Sequence, residues 1–236
     1  MKHLVTAVLA FSLFAVMTGC ASIKVVQPEM VPSYKRASQI LGIDFITPGE
    51  AALIRKLSYT NEQMEYFMRT LPNENTLRWL KTNNYALVPG PPKPMGLVDV
   101  YFLKPKLFFY KMSGSRLSGW FLIHPIVNGD KAETEWLAIR KEEVQNSVNK
   151  FWRDQLKLFS EDERVPNAGE MSWFITTLYE VRRTYLLQQV YVRTSSVTSP
   201  GRHIVIGFVG SHGLDVWNTS DGSSFPRFGI AVARKL

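Results

Sequence analysis

Histidine is the side chain most ready to move a proton or hold a metal near neutral pH. Apart from His3, this chain has three: His124, His203 and His212. His124 precedes Pro125 at the end of an expected strand. His203 opens another strand, and His212 lies in Gly210-Ser211-His212-Gly213. His212, Asp215 and Asp221 stand close enough in sequence to share one loop. A hydrolase or transferase site would have to be built near His203, His212 and Asp215. No His-x-x-x-His spacing accompanies them, so no metal site is expected, and the plainer reading is loop residues bonded to backbone or water.

The other reactive types carry less. There is no Gly-x-Ser-x-Gly, and Ser113-Gly114-Ser115 and Ser223-Ser224 read as turn serines. Glycoside cleavage needs two acids facing one cleft. Glu133, Glu135, Glu142 and Glu143 are near one another in sequence, but Glu142 and Glu143 open an expected helix, where acids favour the dipole. Glu161, Asp162 and Glu163 fall in a charged loop. None of these pairs has the apolar sequence surroundings that raise a carboxyl pKa. Glycine-rich phosphate loops are absent, so no nucleotide cofactor is expected, nor any other cofactor. The densest binding-type feature is aromatic: Tyr101, Phe102, Phe108, Phe109, Tyr110, Trp120 and Phe121. On strands, half of them would face a core; an exposed half would bind a sugar, a lipid or a partner protein.

The elements that position these residues follow from periodicity and caps. Tyr34 to Leu41 suits a short helical turn. Thr47-Pro48-Gly49-Glu50 and Thr60-Asn61-Glu62-Gln63 have the capping-box form. They predict helices over about 48–58, with Leu53, Ile54 and Leu57 on one face, and from 61, with Met64, Phe67, Met68 and Leu71 inward. A third helix over about 73–83 uses Leu77 and Leu80. Pro89-Gly90-Pro91-Pro92-Lys93-Pro94 is a stiff connector or a boundary. Strands are expected at 97–101, 106–112 and 120–123. A hairpin turn at Asn128-Gly129-Asp130 would join 121–127 to 134–139. Residues 140–159 give the clearest amphipathic helix, with Val144, Val148, Phe151, Trp152, Gln155 and Phe159 on one stripe. Asn167 to Glu170 could cap a helix, yet the β-favouring run from Trp173 to Tyr179 points to two antiparallel strands turning near Arg182-Arg183. Further strands are expected at 203–209, 214–217 and 228–233. The fold class is α+β: short N-terminal helices, then a mainly antiparallel sheet with one long amphipathic helix packed on it.

Composition sets the frame. The chain has 236 residues, 45% of them hydrophobic and 20% charged, which is ordinary for a folded domain. The net charge of +8 is spread out, with only pairs such as Arg140-Lys141 and Arg182-Arg183, so no nucleic-acid stripe is present and no nucleic-acid partner is expected. There is a single cysteine, Cys20, which excludes an internal disulfide and a zinc–thiolate cluster.

That cysteine follows a distinctive leader. Met1-Lys2-His3 is a short basic start, and Leu4 to Met17 is an uncharged run of 14 residues. As a helix this run would span about 21 Å, short of the roughly 30 Å hydrocarbon core. Small residues, Thr18 and Gly19, close it; the pattern is that of a signal peptide. Met17-Thr18-Gly19-Cys20 resembles the lipobox of bacterial lipoproteins, with Met17 in place of the usual Leu. The resemblance covers about 20 residues and implies cleavage between Gly19 and Cys20, with diacylglycerol on the Cys20 thiol. Two or three acyl chains anchor stably, at about 0.8 kcal/mol per buried CH₂. Ala21 and Ser22 follow, without the Asp that retains such lipoproteins at the inner membrane, which implies the outer membrane.

The sequence therefore divides into a signal peptide (1–19), a tether (20–46) and one α+β domain (47–236), with 89–94 as the place where it would subdivide. The expected role is a membrane-anchored, non-catalytic binding or assembly component of the cell envelope, facing the periplasm. Its partners would be the membrane, through the N-terminal lipid, and an envelope protein or glycan. The alternatives are an envelope hydrolase or transferase, and a lipid- or glycan-binding module.

Overall fold

The structure is a computed structural model, and it describes residues 31–109, 120–123, 129–208 and 213–236. The leader, Cys20, His124, His212, Ser113 to Ser115 and Tyr110 lie outside the described residues.

The N-terminal helices form where their caps are written. α1 (Pro32–Leu41) starts on a proline, whose missing N–H is no loss in a first turn. In α2 (Pro48–Arg55) and α3 (Asn61–Arg69), Thr47 with Glu50 and Thr60 with Gln63 close reciprocal capping boxes. The side chain of Asn73 caps α4 (Glu74–Thr82). α1 lies inside the stretch expected to begin as a tether, yet Tyr34, Ala37 and Leu41 are already buried.

Next come β1 (Tyr85–Pro89), β2 (Met95–Gly96), α5 (Leu97–Leu103), α6 (Trp120–Ile123), β3 (Lys131–Ala132) and β4 (Trp136–Arg140). α7 (Trp152–Gln155), β5 (Glu163–Arg164) and α8 (Ala168–Arg182) follow. The chain ends with β6 (Tyr191–Ser199), β7 (Arg202–Phe208), β8 (Leu214–Ser220), β9 (Phe228–Ile230) and β10 (Ala233–Arg234). The first sheet has the order β1-β4-β10-β5 and the second β8-β7-β6-β9, with β2 and β3 paired separately. Among the described strands, every ladder is antiparallel except β6 with β9. The class is α+β.

Alternation along the first sheet sorts its side chains into two cores. Tyr85, Leu87, Trp136 and Ala138 face a cluster with Tyr34, Phe45, Phe67, Leu77 and Leu80 of the N-terminal region. Ala86, Val88, Leu137 and Ile139 face the opposite cluster, with Trp173, Phe174 and Leu178 of α8. Val192, Ile204, Ile206, Leu214 and Val216 of the second sheet reach the same cluster. The layers thus run N-terminal helices, first sheet, α8, second sheet. A sheet covered on both faces reads as a continuous apolar run, and all five residues of β1 are buried.

Several expected elements form differently. Residues 97–101 are helical; the Asp99 carboxylate accepts the Gly96 N–H, and this cap outweighs the local β preference. Residues 120–123 are helical too, β4 pairs with β1 and β10, and residues 124–128 of the expected hairpin lie outside the described residues. The stripe at 140–159 is an irregular crossing with helix only at 152–158. Asn146 and Asn149 take φ of 63° and 57°, a left-handed backbone that ends any helix and that Asn tolerates best among side-chain-bearing residues. The long helix packed on the sheets lies instead at 168–182, where strands were expected up to Arg182. Asn167 and Glu170 close a capping box, and the first eleven positions are all buried. A helix apolar on every side shows no 3.6-residue period, so its pattern is invisible in sequence. On α2, Arg55 is buried while Leu53 and Ile54 are 78% and 42% exposed, which rotates the expected inward face.

Candidate functional site

The second sheet turns β7 residues His203, Val205 and Gly207 to its outer face, opposite Thr219, Trp217 and Asp215 of β8. His203 is the one described histidine offered by the sequence, and it is buried. Its Nδ1 lies 2.9 Å from the Thr194 carbonyl, so Nδ1–H is the donor. The ring stacks on Trp152 at 3.7 Å and 27°. Nε2 stands 3.4 Å from Asp221 Oδ1. Burial pushes the imidazole below its ordinary range, against the opposing pull of Asp221 and the Thr194 bond. Nε2 is the ring atom that faces the Asp221 carboxylate, and among the described residues no hydroxyl lies within bonding distance to use it as a base.

The expected association of Asp215 with His203 does not form. Thr219 faces His203, while Asp215 faces Gly207, four positions along. At about 3.3 Å per residue they are about 13 Å apart. Asp221 is the acid beside His203; Asp215 is engaged elsewhere, accepting Tyr191 Oη at 2.8 Å, Trp217 Nε1 at 2.6 Å and the Val216 N–H at 2.9 Å.

On the same face as the histidine lies Arg193, fully buried on β6. Its Nη1 donates to the Gln155 amide oxygen at 2.7 Å and the Lys150 carbonyl at 3.1 Å. Its Nη2 donates to the Ser223 carbonyl at 2.6 Å. Arg193 thus pins two loops, 141–151 and 220–227, onto the sheet.

The carboxylates also sort out. Burial, then the charge of Glu170, raises the Glu135 carboxyl above its ordinary range, which the sequence did not indicate. Glu170 is fully used: Arg164 grips both oxygens at 2.6 and 2.8 Å, and the Asn167 N–H donates to Oε2 at 2.7 Å. This arrangement engages both carboxylate oxygens and holds the start of α8. Glu180 binds Lys104 at 2.8 Å and lies 3.6 Å from Arg55, whose guanidinium stacks over Trp173 at 4.0 Å. Desolvation lowers the Arg55 pKa to about 10. Among the described residues, no three His, Cys, Asp or Glu side chains are grouped as metal ligands.

Of the aromatic run, Tyr110 and the Trp120 side chain lie outside the described residues, and three of the other five rings pack together. Tyr101 packs edge-on to Phe108 and Phe121 at 5.3 and 5.7 Å, and both phenylalanines are buried. Phe102, at 69% exposure, is the outlier. The sequence missed a second set on the outer face of the C-terminal sheet. Trp217 and Phe225 are 47% and 48% exposed, and half-buried Tyr191 and Phe228 join them. Asp215 and Trp217, two apart on a strand, share a face, and that much was legible. The arrival of Tyr191 beside them depends on a register no local pattern encodes. No helix among the described residues is long and apolar enough to cross a membrane. Set against family models, curated proteins and solved structures, the chain matches none of them.

Proposed function

We propose that this protein is a membrane-anchored envelope lipoprotein, attached through lipid on Cys20 after cleavage behind Gly19, and working as a non-catalytic binding or assembly component on the periplasmic face of the outer membrane. The single observation that carries this reading is the placement of the chain's sole cysteine directly behind a short apolar leader. The interior supports the non-catalytic part. The two described members of the histidine–aspartate group that the sequence offered both have structural employment: His203 with Thr194 and Trp152, and Asp215 with Tyr191 and Trp217. Twelve positions separate Cys20 from Pro32, where α1 begins. An extended chain of that length reaches about 40 Å, so the folded body would work close to the bilayer.

Labelling with radioactive palmitate, followed by fractionation, tests the anchor. Wild type should label and travel with membranes, and Cys20→Ala should do neither. Label persisting in Cys20→Ala overturns the proposal. Affinity capture from envelopes with the wild-type protein should recover a partner or glycan; a protein that labels but captures nothing overturns the binding role.

A further inference from the structure

We propose that the outer face of the C-terminal sheet is a saccharide-binding ledge, built on Trp217, Tyr191, Phe228 and Phe225, that takes a neutral, polyhydroxylated sugar chain. The ledge is continuous. Phe225 meets Phe228 at 5.0 Å, Phe228 meets Tyr191 at 5.7 Å, and Tyr191 and Trp217 donate to the same oxygen of Asp215. With its N–H edge committed to Asp215, the exposure of Trp217 belongs to the apolar remainder of the indole.

The support beneath the rings is unusual. Asp215 is 7% exposed, and no cation among the described residues lies within ion-pair distance of it. A buried carboxylate without a cation is costly, and donors from side chains are what make it tolerable. Here the two side-chain donors are the edges of half-exposed aromatic rings, which an ordinary surface would leave free to rotate. The tie fixes two rotamers in advance, so a ligand need not order them. Gly207 completes the support. A Cβ there would stand 2.7 Å from the Val190 carbonyl oxygen and 2.8 Å from Tyr191 Cδ1, so glycine gives room both to that backbone and to the tyrosine ring lying on the sheet.

The size and charge of the ledge choose its occupant. Trp217 and Phe225, each about half exposed, offer on the order of 200 Å² of ring surface, about a quarter of the roughly 800 Å² per side that a stable protein interface buries. A second copy or a globular partner is therefore too large a claim. A quaternary ammonium ligand would use the rings through cation–π attraction. However, Arg227 is exposed on the ledge's rim, close enough to act on the Tyr191 phenol, and it repels a cation. A sugar ring suits both features. Its C–H face lies on an aromatic face, and its hydroxyls accept from the guanidinium. This deepens the binding reading proposed above and rests on it only for biological context; the ledge itself does not depend on the anchor.

The test uses full-length protein in a polyoxyethylene detergent, which carries no sugar. Chitotetraose, cellotetraose and maltotetraose are titrated as neutral probes, with tetramethylammonium chloride as the cationic one. The readouts are tryptophan fluorescence and the Trp217 indole N–H resonance, assigned by comparison with Trp217→Phe. At least one neutral probe should saturate and shift that resonance. Trp217→Ala should weaken it tenfold or more, Asp215→Asn several-fold, and Phe102→Ala, at an exposed ring elsewhere, not at all. Near-UV circular dichroism identifies any variant that fails to fold, and Trp217→Phe, which keeps a ring, should then retain intermediate affinity. No saturation by any neutral probe, equal binding by Trp217→Ala, or preference for tetramethylammonium overturns the ledge. Cys20→Ala should bind sugar like wild type, and Trp217→Ala should still accept palmitate, so failure of the ledge and failure of the anchor are distinguishable.

Discussion

Two buried residues show how this protein uses polar groups inside its second sheet. Arg193 spends its two terminal nitrogens on carbonyls of two loops and on Gln155, and among the described residues no carboxylate grips it directly. Removing it leaves several buried acceptors unpaired and a cavity where the side chain was. Arg193→Ala should therefore lower the folding free energy by about 3–5 kcal/mol, read as a drop in the denaturation midpoint. Arg193→Lys should recover little, because an ammonium cannot fork to both loops. A lysine variant as stable as wild type would show that the loops hold themselves.

His203 supplies a pH dependence of definite sign. Its folded-state pKa lies below its ordinary value of about 6.5 because burial disfavours the charged ring. Below that ordinary value the unfolded chain binds a proton that the folded chain refuses. Stability should fall as pH drops from about 6.5 toward the folded-state pKa, and His203 should contribute no further slope beneath it. Glu135, raised by burial, acts with the opposite sign, so the comparison must be between variants. His203→Gln should flatten the thermal-midpoint profile below about pH 6.5, and Asp221→Asn should steepen it, because it removes the charge that opposes desolvation. Identical profiles for all three proteins would refute the assignment.

At the scale of elements, α8 touches both sheets, the β2–β3 pair and helices α2 and α5, and its start is held by side-chain and backbone contacts. The Asn167 side chain accepts the Glu170 N–H at 2.8 Å and donates to the Lys131 carbonyl at 3.0 Å. Asn167→Ala loses both and should cost about 1–2 kcal/mol in chemical denaturation, while Asn167→Asp, which keeps the cap, should cost less. Two positions on, a Cβ on Gly169 would meet the carbonyls of Asp130 and Met95 at 2.8 Å. What the sequence disclosed here followed from physics. Capping boxes at Thr47 and Thr60 are local chemistry, and they marked α2 and α3. The Asn167 box was equally visible, but Trp173 to Tyr179 favours strand in isolation, and burial between two sheets overrode that preference. The opposite failure occurred at 140–159. A segment that rests one side on a sheet can show a helical stripe by accident, and its two left-handed asparagines were the contrary signal. The site divided in the same way: neighbours on one strand were legible, and partners brought by register, such as Tyr191, Arg193 and Trp152, were not.

For the whole molecule, the last nine residues join everything. β9 lies in the second sheet and β10 in the first, and only Ala231 and Val232 separate them. The joint is itself bonded on both sides: Ala231 N–H donates to Arg193 O, and Val232 O accepts from Arg140 N–H. Ile230 and Val232 fill one core, and Ala231 and Ala233 the other. One strand therefore contributes to both sheets and both hydrophobic clusters, and neither sheet can open at that strand without disturbing the other. Two consequences follow from this sharing. In native-state hydrogen exchange, the amides of β4 and β6 should report the same opening free energy, since a joint unfolding event exposes both. A chain ending at Arg227 should lose cooperative unfolding altogether, because β4 and β6 each lose a neighbour and both cores lose their closing residues. If the truncated chain instead kept one sharp transition with the amides of the first sheet protected, the two sheets would be separate folding units, and the shared strand would be a late addition to a core already complete.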